Sequence, residues 1–98
     1  MDKNRIISTL LENRAELERQ GVLHAALFGS RARGDATADS DIDIMIDLDP
    51  ALMMGVYEYV GLKDYISGLF DIPVDVVNRK SLKPYVKPAA LADAVHVF

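Results

Sequence analysis

Alternating helical and strand patterns predict an α+β (α/β) fold: a small mixed sheet flanked by helices, in a single domain. Three observations carry the expectation. An apolar stripe at helical spacing opens the chain, with Ile6, Ile7, Leu10, Leu11 and Leu17. The segment Asp41 to Asp49 alternates charged and aliphatic residues as D-I-D-I-M-I-D-L-D, the period of a half-buried strand. Two further short apolar runs, Val22 to Phe28 and Pro73 to Asn78, stand between helical or glycine-containing segments. With 98 residues, one compact core is what the chain can build.

In order along the chain, Asp2 is placed to cap a helix over Lys3 to Gln20, which Gly21 stops. Val22 to Phe28 reads as a buried strand ending at Gly29. A short helix is expected to start at Ser30. In the aspartate strand, Ile42, Ile44, Ile46 and Leu48 share one face, and Asp41, Asp43, Met45, Asp47 and Asp49 the other. Phe28 to Asp41 is too short for a crossover helix, so the first two strands are expected to be antiparallel neighbours. Pro50 to Phe70 suits a helix weakened by Gly55 and Gly61, its first residues being open to a loop reading. Pro73 to Asn78 is β-branched around a single Asp75. Ser81 is placed to cap a C-terminal helical region that Pro84 and Pro88 break into turns, and Val95 to Phe98 add an edge strand.

Composition narrows the function. Half the residues are hydrophobic and 27% are charged, a globular balance. The absence of cysteine excludes disulfides and thiolate metal sites, and His24 and His96 are too few for a histidine-rich one. No apolar run approaches the roughly 20 residues of a membrane span, and the N-terminus lacks a signal-peptide pattern, so the cytoplasm is the expected compartment. Six aspartates lie from Asp35 to Asp49 with no basic residue among them, whereas Arg79 to Lys87 holds four basic residues and no acidic one. An acidic face of this kind repels nucleic-acid phosphates and attracts divalent cations.

Two segments carry chemistry. Gly29-Ser30-Arg31-Ala32-Arg33-Gly34 follows a strand directly, where backbone N–H groups and a hydroxyl converge on an anion; a plain strand-to-helix turn is the alternative. It is not a P-loop, because Asp35 and Ala36 stand where Lys and Ser/Thr are needed. Asp39, Asp41 and Asp43 do not open an EF-hand either, since Ile44 and Pro50 occupy its glycine and glutamate positions. As strand residues, Asp41 and Asp43 project from one face, and a divalent cation such as Mg²⁺ would relieve their repulsion. Asp47 and Asp49 read as a solvated continuation. Asp75, alone, reads as a surface residue; beside the pair it would complete a three-carboxylate site able to hold two metal ions for in-line phosphoryl or nucleotidyl transfer.

Gly29-Ser30, then Ser40-Asp41-x-Asp43, then Asp75 on a later strand resembles the signature of the polymerase-beta-like nucleotidyltransferase superfamily. The string GSRARGDATADSDIDIMID in so short a chain resembles its minimal nucleotidyltransferase (MNT) branch. The resemblance spans nearly all of residues 1–98 as one domain. It implies that Gly29 and Ser30 grip the phosphates of ATP, that Asp41 and Asp43 bind two Mg²⁺ ions, and that Asp75 serves the acceptor hydroxyl as base or metal ligand. It places Ser40 in the loop entering the strand and Arg33, with Arg31, near the phosphates. Members of this branch pair with HEPN-domain RNase toxins and transfer AMP to a tyrosine of that partner. The implied role is thus an antitoxin in a hetero-oligomer, with the basic stretch Arg79 to Lys87, including Tyr85, and the Met53-Met54 pair as candidate contacts. Masking of the toxin without catalysis, and transfer to a small molecule, are the alternatives.

Overall fold

The computed structural model describes residues 2–98. Helix α1 (Lys3–Glu12) starts where Asp2 caps it, its carboxylate accepting the Arg5 N–H at 2.9 Å. The expected helix to Gln20 is interrupted. Asn13 separates α1 from α2 (Arg14–Arg19). Its Nδ2 donates to the Thr9 carbonyl at 2.8 Å, and its Oδ1 accepts the Tyr65 hydroxyl at 3.0 Å. Asparagine competes for backbone partners, and here a residue far along the chain holds it in that position.

Strands β1 (Val22–Phe28) and β2 (Ile42–Leu48) pair antiparallel, as the short connection requires, with Phe28 opposite Asp43. Between them lies α3 (Gly29–Arg33). After β2 the chain makes a 3₁₀ turn at Pro50–Leu52, which Asp49 caps by accepting the Ala51 N–H at 2.9 Å. Helix α4 (Val56–Ser67) follows, shorter than Pro50 to Phe70 at its start, and returns the chain to β3 (Val74–Asn78). β3 runs parallel to β2, with Asp75 opposite Asp43. Pro88 does not break the C-terminal helix: it lies in the first turn of α5 (Lys87–Asp93), where its missing N–H costs nothing. β4 (Val95–His96) is shorter than expected and pairs antiparallel with β1. Val97 and Phe98 still bond the Ala25 backbone. The sheet order is β3-β2-β1-β4, a mixed sheet.

One sheet face is closed. Ala25, Leu27, Ile42, Ile44, Ile46 and Val76 form a core with Ile6, Leu10 and Leu17 of the N-terminal helices and Leu62 and Ile66 of α4. Each fully buried aliphatic side chain contributes about 1.5–3 kcal/mol. Leu11, part of the apolar stripe, is exposed instead. By the pleat, the opposite face carries His24, Ala26 and Phe28 of β1, Asp43, Met45 and Asp47 of β2, Asp75 and Val77 of β3, and His96 of β4. Among the described residues no helix is long and apolar enough to cross a membrane.

Candidate active site

The site begins where β1 ends. Gly29 takes the left-handed conformation at φ +73°, which turns the chain into α3. A Cβ at this position would run into Asp43 Oδ2 and lie 3.1 Å from its Cγ. Asp43 therefore rests its carboxylate on the one residue type that leaves room for it. Among the described residues no side-chain cap bonds the first turn of α3, which starts beside this carboxylate. Ser30 is half-buried at the same turn, and its carbonyl accepts the Gly34 and Asp35 N–H groups at 3.0 and 3.1 Å.

Three carboxylates share this end of the sheet. Asp43 and Asp75 are direct register partners, and like charges in that relation repel. Asp41 precedes Asp43 by one pleat. The Asp43 carboxyl is pushed above its ordinary pKa, first by burial, then by Asp75, then by Asp41, with Arg33 opposing them. Asp41 and Asp75 are exposed and Asp43 half-buried. Among the described residues no three acidic, imidazole or thiol groups converge into a ready-made metal cage. The donor chemistry nonetheless fits a hard divalent cation: oxygen ligands crowded by like charge, one of them partly desolvated.

A buried arginine holds the loop that delivers Asp41. Arg31 is only 9% exposed, and its Nη2 donates to the carbonyls of Ser40 at 2.8 Å and Thr37 at 3.3 Å. Ser40 Oγ accepts the Thr37 N–H at 2.9 Å, closing the same loop. Arg33 is exposed and ion-paired to Asp35 at 3.0 Å and Asp93 at 2.7 Å, which ties α3 to α5. These two carboxylates raise the pKa of its guanidinium. The structure thus brings Gly29, Ser30, Asp41, Asp43 and Asp75 to one edge of the open face. It sets Ser40 and Arg31 behind them as supports.

Two aspartates differ from expectation. Asp47 is not a solvated extension of the strand: its side chain is 15% exposed and pairs with Arg79 at 2.7 Å. Asp49 is the cap of the 3₁₀ turn. Met45, on the aspartate face, is nonetheless only 3% exposed. The C-terminal segment that crosses from β3 to β4 covers it, leaving a groove between α5 and the sheet. Periodicity along β1 puts His24, Ala26 and Phe28 on that face, but nothing local to the sequence tells that α5 passes over it. Of the candidate contacts, Met53 and Tyr85 are exposed and Met54 is half-buried.

Comparison with known proteins agrees with this geometry. A nucleotidyltransferase domain model matches residues 7–97. The chain is 37% identical over 95 residues to protein adenylyltransferase MntA of Thermococcus cleftensis, covering 94% of this chain and 92% of that one. A solved structure described as a minimal nucleotidyltransferase superposes with a TM-score of 0.70 at 29% identity, over 97% of this chain and 95% of the other. An MNT antitoxin in complex with a tri-AMPylated HEPN toxin from Shewanella oneidensis matches with a TM-score of 0.62 at 18% identity, over 89% of this chain and 67% of the other, a likeness of fold. A turn that seats one carboxylate, a second carboxylate in register beside it, and a family match over almost the whole length lead to one assignment: this chain belongs to the nucleotidyltransferase domain family and is a nucleotidyltransferase.

Proposed function

We propose that residues 1–98 act as one Mg²⁺-dependent protein adenylyltransferase domain that moves AMP from ATP to a tyrosine of a HEPN-domain toxin, and so serve as its antitoxin. The observation that carries the reading is the placement of Asp43, seated on Gly29 and directly opposite Asp75. The names borne by the relatives support the acceptor class. The setting is a cytoplasmic hetero-oligomer.

In this reading the α3 turn, with Gly29 and Ser30, binds the β- and γ-phosphates of ATP. Asp41, Asp43 and Asp75 would hold two Mg²⁺ ions, which supply charge neutralisation on the triphosphate and acidify the acceptor hydroxyl. Arg33 lies near enough to Asp43 to offset its repulsion and adds positive charge beside the phosphates. Ser40 and Arg31 fix the loop that aims Asp41. The acceptor oxygen forms a bond to the α-phosphorus as the bond from that phosphorus to the bridging oxygen breaks. Pyrophosphate leaves with the electron pair, and the hydroxyl proton passes to Asp75 or to water. Positioning and charge stabilisation supply most of the rate, which suits a site of few residues.

Asp75→Asn tests the reading. The purified pair is incubated with labelled ATP and Mg²⁺. Because Asp75 lies across a strand from the Gly29 turn, ATP binding and the partner complex persist, while transfer falls roughly 10²-fold or more. Unchanged transfer overturns the assignment. Masking is the second reading, favoured by Met53, Val56 and Tyr57, which are 89%, 77% and 91% exposed and follow the end of β2 opposite Asp41. It holds if the toxin is silenced by the Asp75→Asn chain without label.

A further inference from the structure

Among the described residues, β3 is the sheet edge with room for a further strand. β4, at the other side, is two residues long, a blunted edge. β3 has five residues in unbroken register against β2, and its backbone alternates. The Ile42 N–H donates to the Pro73 carbonyl at 2.9 Å, so in this parallel ladder Pro73, Asp75 and Val77 turn their polar backbone groups toward β2. Val74, Val76 and Asn78 turn theirs the other way, off the sheet. The Asn78 backbone faces the Tyr59 hydroxyl of α4. Among the described residues no backbone group bonds Val74 or Val76 on that side. The unpaired stretch is therefore at the Pro73 end of β3, which is the end of the carboxylates.

A strand added here would stand about 4.8 Å from β3. The Cβ of its residue opposite Asp75 would lie about 4.5–5.5 Å from that of Asp75, on the open face that Asp43 shares. A short hydroxyl side chain at that position, or a long one at the diagonal position about 7–8 Å away, brings its oxygen to the carboxylate pair. The order of the strands suits the chemistry. In nucleotidyl transfer the attacking and leaving oxygens stand in line across the phosphorus. The Gly29 turn follows β1, Asp43 lies on β2 between, and the β3 edge is on the opposite side. A second copy of this chain does not suit the edge. Pairing antiparallel through both Val74 and Val76 sets Asp75 against Asp75, and like charges directly opposite repel. Asp41 and Asp75 are exposed, so the edge favours a segment with no acidic residue next to its hydroxyl.

We propose that the acceptor docks as an extended segment of the partner protein, adding a fifth strand to the β3 edge through the backbone of Val74 and Val76, with its hydroxyl-bearing residue beside Asp75. The inference rests on the adenylyltransferase reading and deepens it. It defines the substrate by its backbone: a segment that is extended, or that can become so, rather than a hydroxyl presented on a helix. Main-chain hydrogen bonds supply the affinity and alternate side chains the selectivity. Asp75 then serves the acceptor because it belongs to the strand that the acceptor pairs with.

Amide hydrogen exchange tests it without altering the chain. In the free protein the Asp75 and Val77 amides, bonded to β2, are expected to exchange about tenfold or more slowly than those of Val74 and Val76; no such alternation overturns the assignment of the open groups. In the complex with the HEPN-domain partner, loaded with Mg²⁺ and a non-hydrolysable ATP analogue, the Val74 and Val76 amides are expected to slow about tenfold, and those of Asp75 and Val77 by less. Unchanged exchange at Val74 and Val76 in a formed complex overturns the inference. So does equal slowing along all of residues 74–78, which marks stabilisation from elsewhere. Two variants add a kinetic readout. Val74→Pro removes one outward N–H at the start of an edge strand, where proline is tolerated; Val74→Ala loses side-chain packing and keeps that N–H. Of the two, the proline variant is expected to have the lower kcat/KM for the acceptor, by about fivefold or more, with KM for ATP alike within about twofold. Equal acceptor kinetics in the two folded variants overturn the inference, and a KM for ATP raised in the proline variant alone does so by tying this edge to the nucleotide. Should the parent pair transfer no AMP, the adenylyltransferase reading fails by itself, and the exchange pattern still decides whether a strand docks on β3.

Discussion

Replacing Gly29 by alanine separates backbone strain from damage to the site. At φ +73°, an L-residue costs roughly 1–2 kcal/mol. Its Cβ also drives Asp43 from its position, since Oδ2 occupies that space, and an off-rotamer side chain costs about 0.5–1.5 kcal/mol. The two together amount to about 1.5–3.5 kcal/mol, which lowers Tm by about 6–28 °C in a domain of this size. Gly34 supplies the control: at φ +86° it carries the same backbone strain, but no atom lies within 4 Å of where a Cβ would stand. Gly34→Ala is therefore expected to lower Tm by about 5–15 °C and to leave Mg²⁺-dependent ATP binding intact. Gly29→Ala loses that binding as well. The assay is calorimetric melting beside an ATP titration. In an Asp43→Ala background the cost of Gly29→Ala should shrink to that of Gly34→Ala, because the collision is gone. Equal melting shifts for the two alanine variants, with ATP binding unaffected in both, would refute the contact between Gly29 and Asp43.

Burial and neighbouring carboxylates raise the Asp43 pKa, so the folded state holds this proton more tightly than the unfolded chain. The stability it contributes is complete below about pH 4 and is lost as pH rises through the raised value. Asp43→Asn is accordingly expected to raise Tm at pH 7, with a gain that fades on acidification; melts across a pH series, with and without Mg²⁺, check it, and Mg²⁺ should stabilise only the parent. Arg31→Met strips the donors from the Thr37 and Ser40 carbonyls, costing about 1–3 kcal/mol by calorimetry and lowering AMP transfer through the loop that carries Asp41. Tyr65→Phe removes the hydroxyl that Asn13 accepts; denaturant melts should show a loss of about 1 kcal/mol, and transfer assays no change.

What could be read from the sequence was local. The alternation in β2 set the face of Asp43, and a connection too short for a helix set the antiparallel pair before any contact was known. The resemblance placed Gly29, Ser30, Asp41, Asp43 and Asp75 at one site, and the register puts Asp75 beside Asp43. The break at Asn13 was hidden because its partner, Tyr65, belongs to α4. Asp47 looked solvated because Arg79, which neutralises it, follows another strand. Met45 matched a polar face in the pattern and is buried because the return path to β4 crosses it. Arg31 looked like a loop cation; its burial depends on the fold of residues 37–40, which no short-range rule encodes. Except for Arg31, whose partners lie six and nine residues away, each hidden feature is a meeting of distant segments.

The position of each carboxylate within the sheet divides the site by how it opens. Phe28 and Asp43 belong to β1 and β2, the two interior strands, whereas Asp75 rides on β3 at the sheet edge. Interior strands of a small domain release their amides to solvent mainly through global unfolding, and an edge strand also does so by detaching alone. In hydrogen exchange, the amides around Asp43 should report the stability of the whole molecule and those of β3 a smaller opening energy. In the function proposed above, the half of the site assigned to the nucleotide is then as persistent as the fold itself, while the half assigned to the acceptor can loosen and re-form without unfolding the rest.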